Sequence, residues 1–353
     1  MTQAFINRIA TAVPDHEVHF AFVEFASMML KEERSRTLFL RMAAKSGINR
    51  RFSVLRAKGS LRPGDVDAHA FYRPGQFPCT AERMRVFEEN APRLVQGALD
   101  RLALTDEERQ CIRHVIVTCC TGHYAPGLDF AIIDHLGLSS EVERTMIGFM
   151  GCYAAINGLK QARHIVRSER KANVLLVNLE LCTLHLQESQ DLAEVLSFLV
   201  FGDGCSASLI SAKKTGLAMD GFRAVLLPET RDLITWRIGD GGFLMHLSGQ
   251  VPTEIEKALR SESHAFAVTP QIDLWAIHPG GRTVLDAVES GLLLPPYALA
   301  ASRKVLLENG NMSSATVMFV LAELMKTARD GQRGIAMSFG PGLTAETMAF
   351  HAV

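Results

Sequence analysis

The stretch "TMIGFMGCYAAINGLKQARHIV", residues 145–166, passes from a strand pattern to a helix pattern without a linker. Residues 145–150 form a short apolar run that is typical of a strand packed inside a sheet. The helix pattern places four small or apolar side chains on one face: Ala155, Leu159, Ala162 and Val166. A strand that leads directly into a helix predicts an α/β fold with Cys152 at the junction.

The same alternation of strands and helices continues along most of the chain. Strand patterns occur at 114–120, 173–180, 205–212, 221–227 and 272–278, and a strand pair closes the sequence around a Gly-Pro-Gly turn. Two similar series, 85–212 and 213–353, predict two related halves with a boundary that divides the chain into 1–212 and 213–353. Residues 1–75 are predicted to be mostly helical and to end in a loop rich in Pro, Gly and Arg.

Composition argues against several classes of protein. The 353 residues carry a net charge of −1 and are only 7% aromatic, so a basic or base-stacking surface for nucleic acid is not indicated. The seven cysteines show no metal-ligand spacing, and their odd number does not suggest a disulfide framework. No apolar run is long enough to span a membrane and no signal pattern opens the chain, which predicts a cytoplasmic protein.

Cys152 is the strongest candidate for a nucleophile. It stands where a helix starts after a strand, and the positive end of a helix dipole stabilises a thiolate and lowers its pKa. Free backbone N–H groups at the same place can receive a developing oxyanion. The alternative is that Cys152 is a small core residue, as buried cysteines often are.

Two further residues belong to the second half. His278 ends the apolar strand pattern "LWAI" and precedes a Gly-Gly turn, a position at the sheet edge where α/β proteins form active sites. Asn311 lies just before a helix pattern. Each has a structural alternative, because histidine and asparagine also cap local turns.

Five motifs taken together resemble the type III polyketide synthases, the chalcone synthase-like family of the thiolase superfamily. They occur in the family order and extend over more than half of the chain: "GCYAA" (151–155), "FGDG" (201–204), "HPGGRTVLDAVE" (278–289), "GNMSSA" (310–315) and "FGPGLTAET" (339–347). The resemblance implies a thiolase-like, five-layered αβαβα fold built from two related halves. It also implies a homodimer.

The resemblance implies a role for each matching residue. Cys152 would carry the acyl chain, and His278 with Asn311 would polarise the malonyl thioester carbonyl. Phe201 would be a gatekeeper, and Met245 would stand where a second gatekeeper phenylalanine is usual. Four residues would bind the coenzyme A substrate: Arg41, Lys45, Gly280 and Gly281.

The sequence departs from the family in the substrate pocket. The positions that hold an aromatic starter in the plant enzymes carry Cys120, Cys182 and His185. A flexible methionine at the gate and two small cysteines favour an aliphatic chain of medium or long length, whereas His185 would shorten the cavity.

The implied reaction is decarboxylative condensation of malonyl-CoA onto an acyl-CoA starter, followed by cyclisation to a pyrone or a resorcinol- or phloroglucinol-type ring. The partners are CoA thioesters, and neither a metal nor a redox cofactor is implied. Two alternatives remain open at the level of sequence. One is a ketoacyl-acyl carrier protein synthase III-like enzyme that condenses once, and the other is a catalytically silent scaffold subunit.

Overall fold

The structure is a computed structural model that describes residues 2–57, 67–266, 268 and 271–353. The part of the predicted Pro-, Gly- and Arg-rich loop at 58–66 lies outside the described residues. Within them, the strands are β1 (Phe5–Ala12), β2 (His16–Glu17), β3 (Phe52–Ser53), β4 (Ile112–Cys119), β5 (Glu143–Gly148), β6 (Asn173–Leu181), β7 (Asp203–Ser211), β8 (Leu217–Leu226), β9 (Ile234–Gly239), β10 (Gly242–Leu247), β11 (Leu274–Ile277), β12 (Arg333–Gly340) and β13 (Thr344–Ala352).

The described α-helices lie between these strands. They are α1 (His19–Met29), α2 (Glu33–Ala44), α3 (Thr80–Leu102), α4 (Asp106–Gln110), α5 (Leu128–Leu136), α6 (Ala154–Ser168), α7 (Leu192–Phe198), α8 (Val251–Glu262), α9 (Arg282–Gly291), α10 (Ala300–Asn309) and α11 (Thr316–Met325). Nine strands form one mixed sheet in the order β11-β12-β13-β8-β1-β7-β6-β4-β5. The alternation of strands and helices confirms the prediction of an α/β protein.

The sheet consists of two parts that meet between β1 and β8. Only Phe5↔Ala218 and Ile6↔Leu217 pair across this junction. On the N-terminal side β4 is parallel to both β5 and β6, and on the C-terminal side β11 is parallel to β12. Parallel strands of this kind require helical crossovers, which cover the two faces of the sheet.

Side chains that alternate along the strands divide the core into layers. In β4, Val115 and Val117 pack against α3 and α5, whereas Ile116 packs against α6. In β12, Ile335 and Met337 face α8 and α9, while Ala336 faces the same inner layer as Ile116. Helices α6 and α11 therefore lie between the two parts of the sheet, and the order of layers is αβαβα.

The central helix α6 has the buried face that its sequence predicts. Ala155, Leu159, Ala162 and Val166 are all fully buried in the inner cluster. Gly158 also lies close to the sheet, since a Cβ at this position would stand 2.7 Å from the Leu176 side chain of β6. The helix thus packs directly on the sheet and fixes the position of the residues that precede it.

The prediction that residues 1–75 are mostly helical was wrong for the first segment, which is the central strand β1. The polar residues Asn7 and Arg8 obscured the strand pattern. Asn7 is buried, and its side-chain amide donates to the Lys213 carbonyl at 2.8 Å. Arg8 pairs with Glu108 at 2.6 Å. Tertiary partners far along the chain therefore allow polar side chains in the middle of the sheet.

Strand β5, which precedes Cys152, is also different from its prediction. It is the edge strand of the sheet rather than a buried one, and Met146 is 44% exposed. At the other end of the chain, the strand pair around the Gly-Pro-Gly turn is confirmed as β12 and β13, which are antiparallel.

Candidate active site

Cys152 lies in a 3-10 turn, Gly151–Tyr153, between β5 and α6. Gly151 has a φ of +75°, and a Cβ there would come 2.3 Å from Cδ of Pro341. On the facing segment, a Cβ at Gly340 would lie 2.7 Å from the ring of Tyr153. Glycine is required at both positions because the Cys152 turn and the turn after β12 approach each other at backbone distance. The two halves of the chain meet at this cysteine.

His278 immediately follows β11, and its backbone N–H donates to the Met337 carbonyl at 2.8 Å. The ring is 1% exposed, and neither Nδ1 nor Nε2 has a hydrogen-bond partner among the described residues. Burial disfavours the imidazolium ion and lowers the pKa of His278 to about 3. The side chain is therefore a neutral imidazole whose two nitrogens remain available to a ligand.

The side-chain oxygen of Asn311 accepts two hydrogen bonds from neighbouring residues. Oδ1 accepts from the Ser313 backbone N–H at 2.9 Å and from the Thr316 hydroxyl at 3.3 Å. Nδ2 donates to the Gly280 carbonyl at 3.2 Å, which is a long bond. This arrangement orients the amide as a donor next to the segment that follows His278.

The Cys152 thiol is buried, and its Sγ lies 3.8 Å from the Ser313 hydroxyl. Burial raises the pKa of Cys152 to about 12; hydrogen bonds from Ser313 and Asn311 oppose the increase, and the Glu180 carboxylate adds to it. This shift is opposite in direction to the lowering predicted from the start of a helix alone. Desolvation of the thiolate outweighs the partial charge at a helix terminus.

Burial raises the pKa of Cys152 and lowers the pKa of His278, because it disfavours the charged form of each side chain. A thiolate and an imidazolium side by side stabilise one another, whereas either ion alone is disfavoured. Burial thus favours the neutral thiol and the neutral imidazole over either ion alone.

Cys152, His278 and Asn311 line one cavity. Five other residues singled out from the sequence also line it: Cys120, Cys182, Phe201, Met245 and Gly280. Phe201 is tied to Asn311 through the backbone, since the Gly202 N–H donates to the Asn311 carbonyl at 2.9 Å. Residues distant in sequence and drawn from both halves thus surround a single reaction space.

A sequence model for the N-terminal domain of chalcone and stilbene synthases matches residues 2–214, and one for the C-terminal domain matches residues 221–353. The chain belongs to the chalcone and stilbene synthase family. The resemblance noted in the sequence is confirmed, and the chain is a type III polyketide synthase, an acyl-transferring condensing enzyme.

Two relatives illustrate the range of the family. The "Alpha-pyrone synthesis polyketide synthase-like Pks18" of Mycobacterium tuberculosis is 31% identical over 375 residues, covering 100% of this chain and 92% of that protein. The bisdemethoxycurcumin synthase of Oryza sativa subsp. japonica is 30% identical and covers 89% of this chain and 83% of its own length.

Solved structures show the same architecture. PKS-I from the brown alga Ectocarpus siliculosus has a TM-score of 0.89 and 28% identity, covering 100% of this chain and 99% of that one. The 1,3,6,8-tetrahydroxynaphthalene synthase of Streptomyces coelicolor A3(2) has a TM-score of 0.86 and 26% identity over 100% of this chain and 99% of that one. The predicted thiolase-like fold is therefore confirmed for this polyketide synthase.

His185 lies behind the wall of the synthase cavity rather than on its surface. It is fully buried, with Nε2 2.7 Å from the Thr121 carbonyl and Nδ1 accepting from the Phe243 N–H at 3.1 Å. Its ring stacks on Phe243 at 4.2 Å and meets Trp236 edge to face. Both nitrogens are used, so His185 supports the wall through Trp236, which does line the cavity.

Of the four residues predicted to bind coenzyme A, Arg41 and Lys45 lie at the surface, Gly280 is half-buried and Gly281 is buried. Arg41 and Lys45 are exposed, and neither side chain has an assigned hydrogen bond or ion pair within the described ranges. The Lys45 carbonyl accepts from Arg282 at 3.1 Å, which places the end of α2 beside Gly281, the residue before α9. Lys45 thus lies close to Gly280, which lines the cavity.

Sequence analysis missed two residues of the synthase site. Glu180 is fully buried and accepts from the Cys120 N–H at 3.0 Å and the Thr121 hydroxyl at 2.8 Å. Burial raises the pKa of Glu180 to about 7. Trp236 donates to the Cys120 carbonyl at 2.9 Å. A charged residue at the end of the apolar run "NVLLVNLE" was the available signal for Glu180, whereas Trp236 gave none.

Within residues 2–57, 67–266, 268 and 271–353, no helix combines the length and apolarity needed to cross a membrane. The same ranges contain no group of three or more His, Cys, Asp or Glu side chains placed to hold a metal ion.

Proposed function

We propose that this synthase condenses malonyl-CoA with an acyl-CoA starter held as a thioester on Cys152. The observation that carries the proposal is the convergence of Cys152, His278 and Asn311 on one cavity whose surface is mostly apolar. A nucleophile, an imidazole with both nitrogens unpartnered among the described residues and an oriented amide donor are the groups that such a reaction needs.

The first step is acyl transfer to the cysteine. His278 takes the thiol proton as Cys152 Sγ attacks the carbonyl carbon of the acyl-CoA thioester. The tetrahedral intermediate then releases the CoA thiolate, which recovers the proton from the imidazolium. Because the ion pair between Cys152 and His278 is formed only for this step, the buried site does not hold an isolated charge.

The second step is decarboxylation. The carbon–carbon bond to the malonyl carboxylate breaks, carbon dioxide leaves and the electron pair becomes an enolate on the remaining acetyl thioester. Neutral His278 and Asn311 each donate an N–H to the enolate oxygen. The enolate carbon then attacks the Cys152 thioester and displaces the thiolate, and the extended chain on CoA returns to Cys152 for the next round.

We further propose an aliphatic starter and a pyrone or resorcinol- or phloroglucinol-type product. Met245 lines the cavity from β10, and Cys120 and Cys182 leave more space than larger side chains would. An unbranched thioether has several rotatable bonds and can move aside for a chain. The pyrone alternative is supported by the relative from Mycobacterium tuberculosis, whose name assigns it alpha-pyrone synthesis.

The starter prediction is tested with acyl-CoAs of C4 to C18, benzoyl-CoA and coumaroyl-CoA, with malonyl-CoA as extender. We expect kcat/KM to rise by up to about threefold to fourfold per methylene, because each buried methylene contributes about 0.8 kcal/mol, and to fall where the cavity ends. Product masses should show more than one extension.

Met245→Phe provides the matched variant for this experiment. A rigid ring at the gate should depress the longest starters most and leave the C4 starter least affected. Coumaroyl-CoA as the best starter would refute the aliphatic assignment, and a single extension with every starter would indicate a synthase III-like enzyme. No consumption of any acyl-CoA would contradict the proposed condensation.

We propose that the synthase is a homodimer. Within each chain, the halves 1–212 and 213–353 both supply part of one active site. The edge strand β5 presents exposed Met146, with Phe130 and Met150 also exposed beside it. Unpaired strand edges with apolar side chains are surfaces that a second chain covers.

Sedimentation should give about twice the monomer mass of 38.8 kDa. Met146→Glu should shift the equilibrium toward monomer, and a stable monomer of the unmodified protein at micromolar concentration would contradict the proposal.

A further inference from the structure

A largely buried ion pair joins β13 to α6, the helix that follows Cys152. Glu346 lies on β13, an interior strand of the sheet. Its Oε2 accepts from Lys160 Nζ at 2.7 Å, and its Oε1 accepts from the Asn157 amide at 2.9 Å. The Glu346 side chain is 8% exposed and that of Lys160 is 29% exposed. Both oxygens of one carboxylate are therefore bonded to the same helix.

Stability alone does not account for an ion pair at this place. Met348, two residues beyond Glu346 on the same face of β13, packs in the inner apolar cluster with Leu159 of α6. An apolar pair of similar volume would fill the position at little or no cost, because the desolvation of two ions offsets their attraction. The feature that an apolar pair lacks is fixed geometry. Hydrogen bonds to both carboxylate oxygens hold the helix at one height along the strand.

The carboxylate lies beside the contact that joins the two halves at Cys152. Strand β13 begins directly after the turn Pro341–Leu343, which faces the Cys152 turn. A Cβ on Gly340 would stand 3.4 Å from the Cys152 backbone nitrogen. Helix α6 and strand β13 both lead away from this contact, and Glu346 joins them shortly beyond it. The ion pair is thus the next connection between the halves along α6.

The same pair of strands also positions the histidine of the site. The Met337 carbonyl of β12 accepts from the His278 backbone N–H at 2.8 Å. Ser338, the next residue, is the register partner of Glu346 across β12 and β13. Glu346 therefore connects the strands that hold His278 with the helix that follows Cys152.

We propose that Glu346 is a positioning residue for the reaction. Its bonds to Lys160 and Asn157 set the height of α6 along β13, and thereby the placement of the Cys152 thiol relative to the imidazole of His278. The inference rests on the proposed acyl transfer to Cys152 and names what aligns its two partners. A misplacement of about 1 Å at a reacting group can cost about a hundredfold in rate.

Glu346→Gln tests the alignment, because the amide nitrogen that replaces one oxygen cannot accept from Lys160. Acyl loading from butyryl-CoA, followed by intact-protein mass spectrometry, should slow by about tenfold to a hundredfold. Release of carbon dioxide from malonyl-CoA without a starter should be nearly unchanged. In the proposed mechanism that step needs His278 and Asn311 but not the Cys152 thiol, whereas a loss of folded protein would lower both rates equally.

Glu108→Gln is the matched control for this substitution. Glu108 also accepts from a cation, Arg8 at 2.6 Å, but lies on α4 and does not line the cavity. The control should retain both rates. Lys160→Met removes the other partner of the ion pair and provides the same comparison if Glu346→Gln does not fold. Lys160→Arg keeps a cation that can bond to the carboxylate, so it should load faster than Lys160→Met.

Alkylation of Cys152 by iodoacetamide requires no turnover, so it tests the inference even if no starter condenses. Peptide mass mapping follows Cys152 separately from the exposed Cys79. Glu346→Gln should slow this alkylation in the otherwise unchanged protein and cause no further slowing when His278→Ala is already present. The two changes are expected to be non-additive because both act on one proton transfer.

Equal loading rates in the wild type and Glu346→Gln would overturn the inference. The same slowing of alkylation with and without His278 would also overturn it, because Glu346 would then not act through the pair of Cys152 and His278. Absence of loading in every protein, the wild type included, would contradict the proposed acyl transfer instead. In that case the alkylation rates of the four proteins still decide whether Glu346 is a positioning residue.

Discussion

Cys152→Ala is expected to abolish condensation and to leave no acyl adduct on the protein. The thiol is the only nucleophilic group proposed to bond to the starter, and alanine cannot form a thioester. Incubation with the preferred acyl-CoA followed by intact-protein mass spectrometry should show one acyl group on the wild type and none on the variant. The expected loss is complete within the detection limit, because no alternative covalent route remains.

Cys79→Ser is the matched control for this substitution. Cys79 is exposed and caps the start of α3, and serine is a good N-cap residue. The control should retain acylation and turnover while losing one site of surface alkylation. Circular dichroism and thermal unfolding of Cys152→Ala should resemble those of the wild type, since only a small buried group is lost. Acylation that persists in Cys152→Ala would disprove the assignment of the nucleophile.

His278→Ala and Asn311→Ala are expected to slow decarboxylation of malonyl-CoA by about a hundredfold to a thousandfold each, the typical effect of removing one oxyanion donor. In the proposed mechanism both side chains donate to the same enolate oxygen. Release of carbon dioxide from malonyl-CoA in the absence of starter measures this step alone. His278→Ala should also slow acyl loading, because the imidazole takes the thiol proton.

Asn311→Asp distinguishes the donor from a structural role. The carboxylate can still accept from the Ser313 N–H and the Thr316 hydroxyl, which hold Oδ1 in place, but it cannot donate to an enolate. The aspartate variant should therefore be as slow as the alanine variant. Asn309→Ala is the control, since that side chain donates to the Val305 carbonyl at the end of α10. Full decarboxylation by either Asn311 variant would return Asn311 to the role of a turn residue.

The raised pKa of Cys152 and the lowered pKa of His278 have a common consequence for catalysis. Both values lie far from neutrality, at about 12 and about 3, and both arise mainly from burial. Burial therefore favours the uncharged thiol and the neutral imidazole. In the proposed mechanism the two side chains become charged together, when the proton passes from Cys152 to His278.

The sequence by itself determined the elements whose periodicity matches their burial. The four residues of α6 with helical spacing are buried as predicted, and the strand pair around the Gly-Pro-Gly turn forms where Gly and Pro allow a tight turn. The five motifs in family order identified the family and the candidate residues Cys152, His278 and Asn311. These features are local, because each depends on a few neighbouring residues and their spacing.

Only the tertiary structure decided the features that depend on burial by distant segments. Strand β1 contains Asn7 and Arg8, which are compatible with a sheet only because Lys213 and Glu108 supply their partners. The direction of the Cys152 pKa shift follows from desolvation by both halves, which the position at a helix start does not encode. Desolvation is a property of the packed molecule, so it appears only when segments far apart in sequence are brought into contact.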